Sequence, residues 1–270
     1  MLARRNVGEA DTLGQLLFST GHSREVRSHG LRKSKSRSGL LLEPGSLVQL
    51  TYYENEKSVS DAPPVASLKE GHVVERFAEL KDGGYDGLLL LSYFLELARF
   101  GAKAGESTEL YLLLKGTLEA LAELCADNST PVRSGRFLLL SVFFKVRVLK
   151  VLGLVGDART CAECGGELCD EAIWNVPEVF FTCHRCAVDV NRADAYAARA
   201  IAAASEMRFG RFAEYLASWP AGESVRLTQT EELPGWLLHI ESRLLQCMEH
   251  YQGGPLQAAA QLREHVGLSA

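Results

Sequence analysis

Cys161-Ala162-Glu163-Cys164 and Cys183-His184-Arg185-Cys186 form two C-x2-C pairs with eighteen residues between them. Two intervening residues let both sulfurs of a pair reach one ion from a tight turn. Two such pairs supply the four thiolates of a tetrahedral zinc site. Gly165-Gly166 follows the first pair, where a turn needs permissive dihedrals so that its N–H groups can face the sulfurs. Four thiolates leave no position for water, so the spacing predicts one structural Zn2+ rather than a catalytic one. A segment of 26 residues cannot bury enough apolar surface alone, and the metal would supply its folding free energy. Cys169 and His184 are alternative ligands that the symmetry of the pairs disfavours; a redox C-x2-C pair is the lesser alternative. Cys125 and Cys247 stand apart and read as buried thiols, so no disulfide framework is needed.

The second group with chemistry is cationic. Arg24, Arg27, Arg32, Lys33, Lys35 and Arg37 fall within fourteen residues, interleaved with Ser28, Ser34, Ser36 and Ser38. Arg, Lys and Ser contact phosphate oxygens and carry little base information. Six phosphate contacts would give a slope of log K against log salt of roughly -4 to -5. Tyr52 and Tyr53 are available for base stacking, although strand alternation sends one of them to the core. The plainer alternative is a solvated loop. The whole chain, 270 residues with a formal net charge of -5, argues at first against a polyanion partner. That total hides a polarity. Residues 1–38 hold eight Lys or Arg and three Asp or Glu, and the remaining 232 hold 21 and 31.

These groups need elements to position them. Leu13, Leu16, Leu17 and Phe18 run into the turn signal Thr20-Gly21-His22, and a weak alternation follows from Ser23 to His29. Beyond Pro44-Gly45, Leu47, Val48, Leu50, Tyr52 and Tyr53 form another β run. Short strands at this spacing predict a small barrel or sandwich ending near Asp61-Ala62-Pro63-Pro64. After it the pattern turns helical. Leu88–Phe100 is strongly apolar, and Ser107 or Thr108 could cap a helix through Tyr111, Leu114, Leu118, Leu121 and Leu124. Thr130-Pro131 would open a helix that stops at Gly153, too apolar all round for a single stripe and therefore buried. Ile173–Val176 and Val179–Phe181 read as a hairpin around Pro177-Glu178, which makes the cysteine segment a zinc ribbon. Ala193–Met207, Arg211–Ala217 and Trp236–Tyr251 read as further helices, and the stretch after Gly253-Gly254-Pro255 as a loosely held tail.

Several classes are disfavoured. The apolar fraction of 47% with 23% charged residues is that of a globular chain. No secretory leader is seen at Met1–Asn6, and Lys145, Arg147 and Lys150 interrupt the most apolar run, so a membrane span is not expected. A cytoplasmic protein is expected. Gly-x-x-x-x-Gly-Lys-Ser/Thr, His-Glu-x-x-His and Gly-x-Ser-x-Gly are all missing from the sequence, and no enzyme or nucleotide-binding activity is expected.

In order, the chain carries Gly8-Glu9-Ala10-Asp11, then His29-Gly30-Leu31-Arg32-Lys33-Ser34-Lys35-Ser36-Arg37, then Leu41-Leu42-Glu43-Pro44-Gly45-Ser46. Phe137 to Gly153 and Cys161-x-x-Cys164-Gly165 follow. This ordered set resembles the bacterial recombination mediator family RecO, nearly end to end. The resemblance implies an α+β multidomain protein with an N-terminal OB-fold β-barrel and an α-helical C-terminal domain carrying an inserted four-cysteine zinc ribbon. The expected boundaries are 1–64 for the barrel, 65–158 and 189–252 for the helical domain, 159–188 for the zinc ribbon and 253–270 for the tail. It implies a DNA repair and recombination mediator that binds ssDNA and dsDNA, anneals complementary strands and, with RecR, loads RecA onto strands coated by single-stranded DNA-binding protein. By that resemblance, DNA contact falls to Arg24, Arg27, Arg32, Lys33, Lys35 and Arg37. A grip on the acidic C-terminal tail of the single-stranded DNA-binding protein falls to Arg133, Arg136, Phe137 and Leu140. Two departures stand out. Only seven residues precede Gly8, so either the barrel's first strand is expected to be short or the true start to lie upstream, and no clear final strand follows Lys57. The rival is a zinc-ribbon nucleic-acid-binding factor in transcription or RNA metabolism, which base-specific readout would favour.

Overall fold

The computed structural model describes residues 1–30, 42–54, 65–77, 80, 84–126, 135–219 and 235–266. The chain divides into two compact units, Met1–Ala126 and Asp127–Ala270.

In the first unit, β1 (Ala3–Val7), β2 (Asp11–Leu17), β3 (Ser23–Ser28), β4 (Leu47–Tyr53) and β5 (Ala66–Glu75) form one sheet in the order β1-β2-β3-β5-β4. Neighbours are antiparallel except β3 and β5, which run parallel with Val26 opposite Ala66. Leu16, Val26 and Ala66 form the core of one face, with Tyr52 and Leu68 packed against them. The expected barrel is represented by this five-stranded sheet; among the described residues no strand ladder joins its edges, β1 and β4. Two backbone bonds do link them at one end. The Met1 nitrogen donates to the Ser46 carbonyl (3.1 Å), and the Gly45 N–H donates to the Met1 carbonyl (3.0 Å).

β5 corrects the expectation of helix after Pro64. Its sequence, ASLKEGHVVE, has no period-2 alternation, and only Ala66 in it is buried. Irregular register against β4 at Leu47/Val48 and Thr51/Tyr52 breaks the pattern further. This strand is the final one that no apolar signal announces.

Among the described residues of this unit, two long α-helices follow the sheet, α1 (Gly84–Gly101) and α2 (Thr108–Ala126). The cap of α2 is Ser107, whose Oγ accepts the Leu110 N–H at 3.2 Å. The Ser107 N–H in turn donates to the Gly21 carbonyl at 3.1 Å. Gly21 sits at φ +95, and a Cβ there would lie 2.2 Å from the Ser107 carbonyl carbon. Only glycine allows the β2–β3 turn to dock against the start of α2.

The second unit is helical around α3 (Gly135–Val151). Phe137 to Leu140, Val142 to Phe144, Val146, Val148 and Leu149 are buried, as the density of apolar residues predicts. The helix packs against α4 (Arg192–Glu206), α5 (Phe209–Ala217) and α6 (Gly235–Gln252). It ends at Gly153, φ +73, with the Leu154 N–H returning to the Leu149 carbonyl at 2.9 Å. Thr130-Pro131 lies outside the described residues. Lys145 is fully buried in this helix and pairs with Glu241 of α6, which also accepts from the Ser141 hydroxyl. The expected loose tail is instead a helix, α7 (Gln257–Val266), which buries Ala258, Ala259 and Leu262. Among the described residues, no helix is long and apolar enough to cross a membrane.

Candidate metal centre and nucleic-acid face

The cysteine pairs sit on either side of a two-stranded sheet, β6 (Ala172–Asn175) and β7 (Phe180–Cys183). β-branched and aromatic residues form it: Trp174 packs on Phe181 with ring centroids 5.3 Å apart, and its Nε1–H reaches the Glu178 carbonyl at 3.0 Å. Cys183 ends β7. The first pair is brought to it by the Ala162 N–H, which donates to the Phe181 carbonyl at 2.9 Å.

The result is convergence. The Sγ atoms of Cys161, Cys164, Cys183 and Cys186 all lie within 4.8 Å of one another, Cys164 and Cys183 at 3.8 Å. A tetrahedral ion with metal–sulfur bonds of about 2.3 Å sets sulfurs about 3.8 Å apart. These four groups could therefore hold one metal ion. Cys161 and Cys183 are buried, whereas Cys164 and Cys186 are exposed. Gly165, at φ +69, makes the knuckle possible, but its N–H donates to the Cys161 carbonyl at 2.9 Å rather than to a sulfur. One N–H that meets the Cys161 sulfur is that of Cys183, at 3.4 Å.

Electrostatics fit a cation. Burial pushes the Cys161 thiol up, yet the backbone N–H groups of Cys164, Cys183 and Glu163 outweigh it and bring it down to about 6. The N–H of Arg185 lowers Cys183 as well. Cys186 is pushed up to about 12, chiefly by the neighbouring Cys164 thiol. Crowded thiolates repel, and a dication among them relieves that repulsion. The Arg185 guanidinium also approaches Cys164 Sγ, at 3.9 Å. Cys169 and His184 are not part of the converging group. Cys247 is buried and its thiol is raised to about 11 by that burial, while Cys125 is only half-buried.

A hub that sequence patterns did not single out anchors this hairpin. Asp194 is fully buried in the first turn of α4. Its carboxylate accepts from the Trp174 N–H (2.9 Å), Asn191 Nδ2 (2.9 Å) and His239 Nε2 of α6 (2.6 Å). Burial raises its pKa, but the hydrogen bonds from His239, Trp174 and Asn191 win and hold the carboxyl below its ordinary value. Asn191-x-x-Asp194 is a capping pair legible in the sequence; nothing local points to His239.

The cationic group is dispersed where it is described. Arg32, Lys33, Lys35 and Arg37 lie outside the described residues. Arg24 and Arg27 are three apart on β3, so alternation sends them to opposite faces. Arg24 shares the Val26 face, pairs with Glu54 at 2.5 Å and lies 5.8 Å from the Tyr52 ring centroid. Arg27 is on the other face, its Nε buried and with no partner among the described residues. Directly across from it stand Ser67 of β5 and then Tyr53 of β4. Arg5 is on the same sheet and pairs with Glu25 at 3.5 Å. Of the partner-binding group, Arg133 lies outside the described residues, Arg136 is exposed, and Phe137 and Leu140 are buried in the helical core.

A five-stranded sheet unit and a helical unit bearing a four-cysteine cluster define an α+β multidomain protein with a hairpin whose thiols could hold a metal ion. Residues 84–226 match the family model described as Recombination protein O C terminal. DNA repair protein RecO of Leptospira biflexa serovar Patoc is 32% identical over 190 residues, covering 69% of this chain and 70% of the relative. Its counterpart in Anaeromyxobacter sp. strain K is 30% identical over 244 residues, 88% of each chain. That of Streptomyces coelicolor is 30% identical over 175 residues, 61% of this chain and 63% of the relative. The chain belongs to the RecO family of DNA repair proteins.

Proposed function

We propose that this chain is a DNA repair and recombination mediator. In this reading it binds ssDNA and dsDNA, anneals complementary strands and works with RecR to load RecA onto DNA coated by single-stranded DNA-binding protein. The observation that carries it is the sheet order β1-β2-β3-β5-β4 with a parallel β3–β5 pair, in a chain of this family. That order, with the Met1 bonds to Gly45 and Ser46 drawing the two edges together, supports an OB-fold barrel. Small barrels of this kind carry single strands across one face. Annealing then needs no covalent chemistry: cations on the barrel and its loops reduce the repulsion between two polyanions.

The four converging thiols support one structural zinc ion. Cys161, Cys164, Cys183 and Cys186 would hold it, and its role is to fold the hairpin. The acidic tail of the single-stranded DNA-binding protein is assigned to the helical unit around Arg133, Arg136, Phe137 and Leu140. Burial of Phe137 and Leu140 leaves Arg136 as the described member of that set with an exposed side chain.

Charge reversal tests the DNA assignment. Arg32→Glu, Lys33→Glu and Lys35→Glu together are expected to weaken oligonucleotide binding and to flatten the salt dependence by about 2 to 3 in slope, with an unchanged thermal melt. Unchanged binding in an anisotropy titration removes these three residues from the DNA path.

A further inference from the structure

We propose that Tyr53, with Lys69 beside its ring, is a base-stacking platform that makes the sheet unit favour single-stranded over double-stranded DNA. The proposal rests on the reading of this unit as a DNA-binding domain and specifies how it discriminates. Three observations converge. First, adjacent tyrosines have opposite fates. Tyr52 packs on the core, 5.5 Å from the Phe18 ring, whereas Tyr53 is 57% exposed. Second, register places Arg27, Ser67 and Tyr53 side by side on three neighbouring strands, on the face opposite Val26 and Ala66. Third, the Lys69 ammonium stands over the Tyr53 ring, 5.8 Å from its centroid. Lys69 is the residue that the β4–β5 register skips, between Leu68 and Glu70, so an irregularity in the ladder aims it at the ring.

An exposed ring with a lysine over it offers a base a stacking partner and its phosphate a counter-charge. Single strands can splay a base onto such a ring; a duplex keeps its bases stacked inside and can engage only the cations. Glu70 stands opposite Thr51 on the same stretch of β5, so the surface is mixed in charge and the ring carries the discrimination. Arg24, held by Glu54, is not part of this row.

The test is an anisotropy titration of the full chain with a fluorescent oligo-dT strand and with a duplex of equal length, each across a salt series. Tyr53→Ala is expected to weaken the single strand roughly 5-fold or more while leaving the duplex within about 2-fold and the salt slope unchanged. Tyr53→Phe keeps the ring and is expected to retain wild-type binding. Lys69→Gln is expected to reduce the slope for the single strand by about 0.7, one phosphate contact. Equal losses on both substrates, or none on either, for Tyr53→Ala overturn the platform, as does a Tyr53→Phe variant as weak as the alanine. A wild-type chain that binds neither substrate overturns the DNA-binding reading itself, a result distinct from wild-type binding that Tyr53→Ala does not change.

Discussion

The metal hairpin and the sheet unit gather their charged and nucleophilic groups by different rules. In the hairpin, two C-x2-C pairs converge because each pair is a tight local turn and one strand pairing joins them. In the sheet, residues close in sequence diverge: Arg24 and Arg27 lie on opposite faces of β3, while Arg27 and Tyr53, 26 positions apart, share a row. Convergence of the four thiols is thus encoded by spacing, and the sheet's face is encoded by register. The hairpin is also tied down by a buried carboxylate, whereas Arg5 and Arg24 of the sheet are paired at its surface with Glu25 and Glu54. Single substitutions are therefore expected to cost stability in the first region and binding in the second.

The largest effect is expected at Cys161, one of the two buried sulfurs of the cluster. Structural zinc contributes on the order of 10 kcal/mol to the folding of small thiolate sites. Cys161→Ser is expected to take zinc from one per chain to substantially less than one by metal analysis, with loss of hydrogen-exchange protection at β6 and β7. Retention of full zinc in that variant would break the comparison on the hairpin side. Next comes Asp194→Ala, which strips the acceptor from the buried Trp174 N–H and from Asn191 and His239, whose side chains keep some access to solvent. A cost of about 3 kcal/mol is expected from chemical denaturation. Its pH dependence has a definite sign. The folded pKa is depressed, so the unfolded chain binds the proton more readily. The Asp194 contribution is complete at neutral pH, begins to fall below about pH 4 and is lost as pH drops through the folded value. The variant should lack that acid-limb component.

The smallest effects separate the two arginines. Arg27→Ala is expected to lower the salt slope of DNA binding by about 0.7 to 0.9. Arg24→Ala is expected to change it less, since Glu54 already neutralises that guanidinium, and to alter stability by no more than about 0.5 kcal/mol. Equal slopes for the two variants would mean that Glu54 yields Arg24 to DNA and that faces do not sort these cations.

Legibility followed the same division. The four cysteines, the hairpin, the buried character of α3 and the Ser107 cap could be read directly, because each is written within a few residues. β5 could not, since its residues are mostly exposed and without alternation, and one of its two partners, β3, is not its neighbour in sequence. Lys69 was hidden with it. α7 follows Gly253-Gly254-Pro255, a breaker that also suits a tail, and only tertiary burial of Ala258, Ala259 and Leu262 decides between them. Lys145 was visible as a charge inside an apolar run, but its partner Glu241 is 96 residues away.

Strand annealing without covalent change to the DNA is the activity proposed for this chain. The direct measurement is the rate at which two complementary single strands, bare or coated with single-stranded DNA-binding protein, form duplex with and without this chain, followed by fluorescence quenching. Faster annealing of both forms, suppressed by rising salt and by the Arg32, Lys33 and Lys35 reversals, is the expected result. Annealing no faster than the uncatalysed rate on bare strands, from a folded and zinc-loaded chain, would contradict the account.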